Sequence, residues 1–475
     1  GSKEIMLLWD TLDNEYNLTL TMMQEFSVKP DFEGITNIEE RISPGAFGTA
    51  PGYTTGSRYL SISEGDFNGN GIQNAVVVHQ QNNTLFLRVL NHADLANPES
   101  GKFYRSDGPV YPSDSDNDRG RIIVRAADVD GDGVDEIVLA YIETNQNMLQ
   151  IEIFEYTNNK PVVSYKDEVV SLMSNFETLS LTTDDLDMDG QHEIAVVFRS
   201  AADHDLYAKI YKAGATNELV DKLTPKSKVL IDNTLVNNIS VTAAITSGFL
   251  NNDNKKDLAV AWGSFSNCSG CPDTWVIPIQ LQDNPATAEI SVLETMVVNP
   301  EDKVHFSLSG NYLNNLNLVN ADLNLDGKTE VILGANPCRI LSIPEDSTKF
   351  DIVNTFGGYN DEYGFAVDFM RAGDVTGNYK DEIVLVNNFF GVDDNMQQYL
   401  ELEVFSFNEN LKAERIIHVP TIRKIPSGGN YKDRRHYGIA MGDFNGDNFK
   451  IGPGKKYTVS DIVQPIVILN APPTH

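Results

Sequence analysis

The sequence predicts an all-β fold on the strength of three observations. A nine-residue loop rich in Asp, Asn and Gly occurs seven times in the 475 residues, starting near positions 66, 128, 185, 249, 322, 374 and 443. An apolar run typical of a strand buried on both faces follows each of the first six loops. The segments between the loops have the alternating or β-branched pattern of strands, and no amphipathic helix is evident. Together these features predict a seven-bladed β-propeller of four-stranded antiparallel blades.

The spacing of the loops fits one blade per repeat. Successive first positions are 52 to 73 residues apart, enough for four short strands and their connections. We number the loops in chain order: loop 1 (66–74), loop 2 (128–136), loop 3 (185–193), loop 4 (249–257), loop 5 (322–330), loop 6 (374–382) and loop 7 (from 443).

The two ends of the chain predict how the propeller closes. The segments 4–11 and 16–21 resemble those that follow a loop elsewhere, so the chain begins midway through a blade. The segments 437–443 and 463–469 would supply the missing inner strands. We therefore expect a single domain over residues 1–475, closed by N- and C-terminal strands in one blade. A further domain beyond residue 475 stays open.

The composition argues against two kinds of partner. The net charge is −32, from 36 basic and 68 acidic residues, so a nucleic-acid partner is not expected. No run of 18 apolar residues suggests a membrane span, and no signal peptide is recognisable. Three cysteines do not make a disulfide scaffold. A disulfide between Cys268 and Cys271 stays open, and Cys338 is expected to be a buried thiol.

The side chains at alternate loop positions are those that calcium binds. Calcium takes about six to eight oxygen ligands, and carboxylates or amides at positions 1, 3, 5 and 9 of a tight loop converge on one point. A glycine at position 6 permits the turn. An EF-hand would need a glutamate at position 12, which is apolar here, as at Leu139. Simple Asp-Gly and Asn-Gly hairpin turns do not explain the recurring acid or amide at position 9.

The expected calcium ligands are the oxygen-bearing side chains of six loops, together with a backbone carbonyl at position 7 in three of them. They are Asp66, Asn68, Asn70, Asn74, Asp128, Asp130, Asp132, Val134, Glu136, Asp185, Asp187, Asp189, Gln191, Glu193, Asp322, Asn324, Asp326, Lys328, Glu330, Asp374, Thr376, Asn378, Glu382, Asp443, Asn445 and Asp447.

The number of carboxylates ranks these loops. Loops 2 and 3 hold four each, loop 5 holds three and loop 1 holds one. Because unneutralised carboxylates repel one another, loops 2 and 3 are expected to bind calcium best and loop 1 weakly. Phe249 at position 1 is expected to abolish the site in loop 4. Occupancy stays open in loop 6, where Tyr379 replaces the turn glycine, and in loop 7, where the pattern ends after Asp447.

These loops resemble the FG-GAP/VCBS repeats of integrin α-subunit propellers and of many bacterial secreted proteins, over nearly the whole chain. The resemblance implies a seven-bladed ring with calcium in the loops between the first and second strands. It also implies a secreted or cell-surface location and adhesion, carbohydrate binding or protein binding. Phe249 and Tyr379 depart from the repeat pattern, which puts two metal sites in doubt and leaves the fold unaffected.

A ligand surface is expected on the face opposite the calcium loops, because all first-to-second connections lie on one face. The loops expected there are long and aromatic, and Tyr and Arg are frequent binding anchors. The candidate ligand-binding residues are Tyr53, Tyr111, Tyr359, Tyr363, Phe389, Tyr431, Arg434, Arg435 and Tyr437. The alternative is that these loops are ordinary exposed surface.

The sequence therefore predicts a calcium-stabilised extracellular binding module and not an enzyme. The ligand would be an extracellular glycan or protein, and the oligomeric state is undetermined. The alternative is a propeller-type polysaccharide lyase or glycosidase, which needs paired carboxylates or a cluster of basic and aromatic side chains. The one dense group of that kind is Lys432, Arg434, His436 and Tyr437, for which a solvated basic loop is the favoured explanation.

Overall fold

The computed structural model describes the chain in segments between residues 4 and 442. The described residues are 4–12, 18–28, 35–40, 60–81, 84–90, 102–105, 122–143, 148–157, 160–171, 179–213, 219–221, 229–232, 235, 241–264, 273–284, 289–292, 304–307, 316–334, 337–345, 347–357, 366–376, 378–390, 398–425 and 437–442.

These residues form 31 strands and no helix. The first fifteen strands are β1 (Glu4–Leu12), β2 (Leu18–Val28), β3 (Ile35–Glu40), β4 (Leu60–Gly65), β5 (Asn74–Gln81), β6 (Thr84–Leu90), β7 (Lys102–Arg105), β8 (Ile122–Ala127), β9 (Glu136–Glu143), β10 (Met148–Thr157), β11 (Lys160–Ser171), β12 (Ser180–Asp184), β13 (Glu193–Arg199), β14 (Leu206–Ala213) and β15 (Leu219–Asp221). The others are β16 (Val229–Asp232), β17 (Val241–Gly248), β18 (Asp257–Ser264), β19 (Asp273–Ile279), β20 (Leu281–Asn284), β21 (Glu289–Val292), β22 (Val304–Ser307), β23 (Asn317–Ala321), β24 (Glu330–Gly334), β25 (Cys338–Ser342), β26 (Asp351–Phe356), β27 (Ala366–Gly373), β28 (Glu382–Phe390), β29 (Gln398–Phe407), β30 (Ala413–Ile425) and β31 (Tyr437–Gly442).

The strands pair in antiparallel sheets, most of them between neighbours in the sequence. The larger sheets, numbered after the loops they carry, are sheet 1 (β4-β5-β6-β7), sheet 2 (β8-β9-β10-β11), sheet 3 (β12-β13-β14-β15, with β16 on β14), sheet 4 (β17-β18-β19-β22), sheet 5 (β23-β24-β25-β26), sheet 6 (β27-β28-β29-β30) and sheet 7 (β31-β1-β2-β3). A separate hairpin joins β20 and β21. The all-β prediction is therefore confirmed for the described residues.

The strand after each of loops 1 to 6 is buried on both faces. All seven residues of β13 and all five residues of β24 are buried. Their sequences are almost entirely apolar, because neither face of such a strand meets water. The apolar runs that follow the loops in the sequence are thus the second strands of their sheets, as predicted.

The hydrophobic core lies between neighbouring sheets. Val78 of sheet 1 packs in one cluster with Val124 and Leu139 of sheet 2. In the same way, Ile332 of sheet 5 and Leu385 of sheet 6 belong to one cluster. Each sheet therefore buries its faces against the sheets beside it.

The first strands of the sheets contact one another in succession. β4 contacts β8, β8 contacts β12, β12 contacts β17, β17 contacts β23, β23 contacts β27, β27 contacts β31, and β31 contacts β4. Short polar side chains bond across these contacts. The Ser61 hydroxyl accepts the backbone N–H of Val124 at 3.1 Å, and the Ser180 hydroxyl accepts that of Ile245 at the same distance.

A glycine allows the close approach of sheets 1 and 2. A Cβ atom at Gly65, the last residue of β4, would lie 2.4 Å from the Cβ of Ala126 in β8. Two ring carbons of Phe67 would be 2.9 Å away. Since non-bonded carbons do not approach this closely, a larger residue would separate the two strands.

The two ends of the described chain share sheet 7. β31 pairs with β1 in antiparallel register, from Glu4 opposite Gly442 to Trp9 opposite Tyr437. This is the pairing expected for the segment around Tyr437, whereas 463–469 lies outside the described residues, as do Cys268 and Cys271. Cys338 is buried, as predicted.

Candidate metal centres

Loops 1 to 6 join the first and second strands of their sheets, and loops 1, 2, 3, 5 and 6 share one backbone framework. In loop 2 the Asp128 carboxylate accepts the backbone N–H groups of Gly131, Asp132 and Gly133 at 2.7, 3.0 and 2.9 Å. The position 1 aspartates of loops 1, 3, 5 and 6 likewise accept from positions 5 and 6. Side chains thus satisfy the backbone donors of the turn.

The acid at position 9 accepts a hydrogen bond from the backbone at position 2 of the same loop. Oε2 of Glu136 accepts the backbone N–H of Val129 at 2.9 Å. The glutamates of loops 3, 5 and 6 make the same bond to position 2, at 2.8 to 3.0 Å. This bond occupies one carboxylate oxygen and leaves the other directed into the loop.

Positions 4 and 6 of loops 1, 2, 3 and 5, and position 6 of loops 4 and 6, adopt left-handed backbone conformations. Gly133 at position 6 of loop 2 has φ +86°, and Tyr379 at the equivalent place in loop 6 has φ +67°. Leu325 at position 4 of loop 5 has φ +63°. Tyr379 therefore keeps the turn that glycine makes in other loops, at the steric cost of a Cβ atom.

Loop 2 brings three carboxylates together. One oxygen from each of Asp128, Asp130 and Glu136 lies within 4.8 Å of the others. Two ligands on opposite sides of a calcium ion are about 4.6–5.2 Å apart, twice the calcium–oxygen distance. The donors are hard oxygens and one of them, Glu136, is only 5% exposed. The cluster therefore fits calcium in size and ligand chemistry.

Without a cation these carboxylates disfavour ionisation. Burial first, and then the charges of Asp130, Asp132 and Asp128, raise the pKa of Glu136 to about 8. Burial also raises the pKa of Asp130 above its usual value. Because a nearby cation favours the ionised form, a divalent ion would offset the burial cost and the mutual repulsion of these carboxylates.

Loop 3 forms a second cluster, and a lysine lies beside it. Oxygens of Asp185, Asp187 and Glu193 lie within 4.8 Å of one another. The ammonium of Lys212, from β14, is 3.5 Å from Asp187 Oδ2 and 3.1 Å from Glu193 Oε1, and it also contacts Asp189. Burial raises the pKa of Glu193 to about 7, an effect that the Lys212 charge opposes.

Amide and hydroxyl donors bond to the acid of loop 6. The Thr376 hydroxyl donates to Oε1 of Glu382 at 3.0 Å, and Nδ2 of Asn378 donates to the same oxygen at 3.2 Å. Burial raises the pKa of Glu382 to about 7. A cation in this loop would require the Asn378 amide to turn its oxygen inward.

In loops 5 and 1, amide side chains bond to other loop residues. In loop 5 the side-chain amide of Asn324 donates to Asp326 Oδ2 at 3.0 Å, and burial raises the pKa of Glu330 to about 7. In loop 1 the Asn68 amide donates to Asn74 Oδ1 at 3.4 Å. The ranking of the loops by carboxylate number remains a prediction.

Loop 4 has no acid at position 1, and its contacts are made by other side chains. Nδ2 of Asn251 donates to Asp257 at 2.8 Å. Lys256 reaches Asp184 of sheet 3 at 2.5 Å, and its ammonium lies 5.6 Å from the ring centre of Phe249. Phe249 offers no oxygen ligand at position 1, and the expectation that it removes this site stays a prediction.

Several expected site residues lie outside the described part of the chain. They are Tyr53, Tyr111, Tyr359, Tyr363, Tyr431, Arg434, Arg435, Asp443, Asn445 and Asp447. Phe389 is in β28 and Tyr437 begins β31, and the positions of these two side chains are not described. The ligand surface and loop 7 therefore remain predictions.

Lys212 is the residue at the loop 3 cluster that the sequence did not reveal. It lies 19 residues after Glu193 in the chain, beyond the turn between β13 and β14. Ile194 pairs with Tyr211, so Lys212 comes next to Glu193 across the two strands. The sequence does place this lysine in a mostly apolar third strand, Leu206–Ala213. However, the sequence does not show which residue of β13 lies opposite it, because the register of the two strands is known only from their pairing.

No protein-family model matches the chain, and neither does any curated protein. Similar solved structures exist at low identity. The Dos1 propeller has a TM-score of 0.38 at 9% identity, covering 94% of this chain and 93% of that one. Rhamnogalacturonan lyase YesW has a TM-score of 0.33 at 11% identity, covering 86% and 74%. Fructan 1-exohydrolase IIa from Cichorium intybus has a TM-score of 0.31 at 9% identity, covering 82% and 94%.

These comparisons correct one prediction. The expectation that the chain is not an enzyme is wrong, because the similar structures include a lyase and an exohydrolase. Fold alone does not separate binding modules from enzymes. At such low TM-scores, neither activity transfers to this chain.

The search for a membrane span gave no candidate: the described residues include no helix with the length and apolar character needed to cross a bilayer. The chain is an all-β protein of antiparallel sheets, with acidic clusters that could hold a metal ion, and the solved structures that it resembles include a propeller.

Proposed function

We propose that the chain is a seven-bladed β-propeller closed through sheet 7. Support comes from the number of four- or five-stranded sheets and from the succession of contacts from β4 through β8, β12, β17, β23, β27 and β31 back to β4. The pairing of β31 with β1 supplies the closing sheet. In this arrangement each sheet is one blade and the loops lie on one face.

The propeller binds calcium in its loops, with loop 2 as the strongest site. The observation that carries this proposal is the convergence of Asp128, Asp130 and Glu136. Bound calcium would neutralise the acids and hold the loop framework, a structural role with no chemical step. Calcium suits a cluster of several carboxylates better than magnesium, which is smaller and usually keeps several waters.

The chain acts as a binding module of the FG-GAP/VCBS type, secreted or at the cell surface, with an extracellular glycan or protein as its ligand. This assignment is supported by the recurring loop and its position between first and second strands. We expect the ligand surface opposite the loops, on the face that calcium leaves free.

Calorimetry tests the calcium proposal. We expect calcium to raise the melting temperature and EDTA to lower it, because the ion binds only the folded loops. Asp130→Asn in loop 2 should reduce the calcium-dependent rise, and Asp253→Asn in loop 4 is the matched acid-to-amide control. A melting temperature that calcium and EDTA both leave unchanged would refute the calcium sites.

Ligand screening tests the binding role. Glycan and extracellular-protein arrays, probed with and without calcium, should reveal a ligand retained specifically by the folded chain. Incubation with uronic-acid polysaccharides is the companion assay. Cation-dependent cleavage that is lost in Arg434→Ala would replace the binding module by a polysaccharide-degrading enzyme.

A further inference from the structure

The ammonium of Lys212 lies among the acids of loop 3. It contacts Asp187, Asp189 and Glu193, which are positions 3, 5 and 9 of that loop. Lys212 is 5% exposed, so its charge has little access to water. A buried ammonium is tolerated when carboxylates compensate it, and here three do so.

Loop 2 is a natural comparison, because it has the same framework and the same four carboxylate positions. Ile137 pairs with Phe154, so Glu155 of β10 has the place next to Glu136 that Lys212 has next to Glu193. Glu155 is exposed. No lysine or arginine of the described residues forms an ion pair with the acids of loop 2. The two loops thus differ in the sign of one third-strand side chain.

Loops 5 and 6 agree with loop 2 in this respect. Val331 pairs with Leu341, so Ser342 follows beside Glu330. Ile383 pairs with Phe405, so Ser406 follows beside Glu382. Neither serine brings a positive charge, and a cation for these loops must come from solution.

We propose that Lys212 is the built-in counter-ion of loop 3: its ammonium takes the place of a calcium ion and keeps this loop ordered without metal. The inference rests on the proposed calcium binding by the other loops. It follows that calcium can enter loop 3 only by displacing a buried ammonium, which would then lose its three partners. Loop 2 would fill at lower calcium concentration than loop 3, although both have four carboxylates.

Reciprocal charge changes test this inference through the number of calcium ions bound, measured by isothermal titration calorimetry and native mass spectrometry. Lys212→Met removes the ammonium and keeps the apolar stem, so we expect one additional calcium ion per chain and a lower melting temperature in EDTA. Lys212→Arg retains the charge and should leave the ion number unchanged. Glu155→Lys should remove one ion by supplying an ammonium to loop 2.

The outcomes separate this inference from the calcium proposal. If wild type loses an ion on Asp130→Asn, but neither Lys212→Met nor Glu155→Lys changes the number of ions, loop 3 is an ordinary calcium site and the inference is wrong. If wild type binds no calcium, it is the calcium proposal that fails. Should Lys212→Met fold only with calcium, that rescue supports the inference. If Lys212→Met folds neither with nor without calcium, the number of calcium ions bound by Glu155→Lys decides: one ion fewer supports the inference, and an unchanged number contradicts it.

Discussion

The backbone N–H of His192 donates to the backbone carbonyl of Asp128 at 2.8 Å. His192 is position 8 of loop 3 and Asp128 is position 1 of loop 2, so the bond joins neighbouring sheets. Thr329 and Phe249 make the same bond between loops 5 and 4, also at 2.8 Å. Each such bond fixes the backbone of position 1 in one loop against the next loop.

Asp135 should stabilise the contact between loops 1 and 2. Its N–H donates to the Asp66 carbonyl at 3.1 Å, and its carboxylate accepts the Asp66 N–H at 2.8 Å. Asp135→Ala removes the acceptor, and we expect a loss of about 1–3 kcal/mol in the free energy of unfolding. Asp135→Asn keeps an acceptor oxygen and should lose less in urea denaturation. Equal losses in both variants would mean that this bond has no part in the effect.

Stability without calcium should fall as the pH rises. Burial first, then neighbouring charges, raise the pKa of Glu136 from its usual 4.5 to about 8, so the folded state holds a proton that the unfolded chain releases. Glu136 thus favours folding at low pH, and this contribution is lost between about pH 4.5 and about pH 8. Calcium binds the ionised acid, so its affinity should rise over the same interval.

The pH effect is measured by melting the calcium-free protein at several pH values. Glu136→Gln retains an acceptor for the Val129 N–H and cannot ionise, so its melting temperature should depend less on pH than that of wild type. Equal pH dependence in the two proteins would show that Glu136 is not responsible.

Gly65→Ala should separate sheets 1 and 2. The new Cβ would lie 2.4 Å from that of Ala126, and we expect a loss of about 1–3 kcal/mol. Ala126→Gly opens space at that point, so the double variant should be less destabilised than the sum of the single changes. A double-mutant cycle of unfolding free energies measures this coupling, and strict additivity would contradict direct contact.

Tyr379→Gly should stabilise loop 6. The left-handed conformation costs a residue with a Cβ about 1–2 kcal/mol, whereas the flexibility of glycine costs about 0.5–1 kcal/mol. A net gain of up to about 1.5 kcal/mol is expected, and the 73% exposure of Tyr379 means that little packing is lost. Tyr379→Ala retains a Cβ and is the control. A gain in alanine equal to that in glycine would exclude backbone strain as the cause.

The sequence predicted those features that depend on local pattern. Continuous apolar runs such as Ile194–Val197 indicated second strands buried on both faces, and they have that place in the fold. Recurring acids and glycines at fixed offsets identified the loops, because one turn requires the same residues each time. The similarity of residues 4–11 to post-loop segments also predicted the partner of β31.

Features that depend on the register between strands could not be predicted from the sequence. The contact between Lys212 and Glu193 requires the pairing of β13 with β14, and the turn between them differs in length from its counterparts. The Asn378 amide was counted as a calcium ligand, yet its nitrogen points to Glu382, a choice that only the hydrogen-bond partners reveal. The β20–β21 hairpin interrupts sheet 4 without any mark in the repeat pattern.

The pairing of β1 with β31 has a consequence for biosynthesis. Strand β1 leaves the ribosome before β31, its neighbour in sheet 7, which is the last described strand of the chain. Until then the edge of β1 offers unpaired backbone groups that another nascent chain could capture. Such distant pairing slows folding, so the edge of β1 stays exposed to misassembly until β31 has been made and has paired with it.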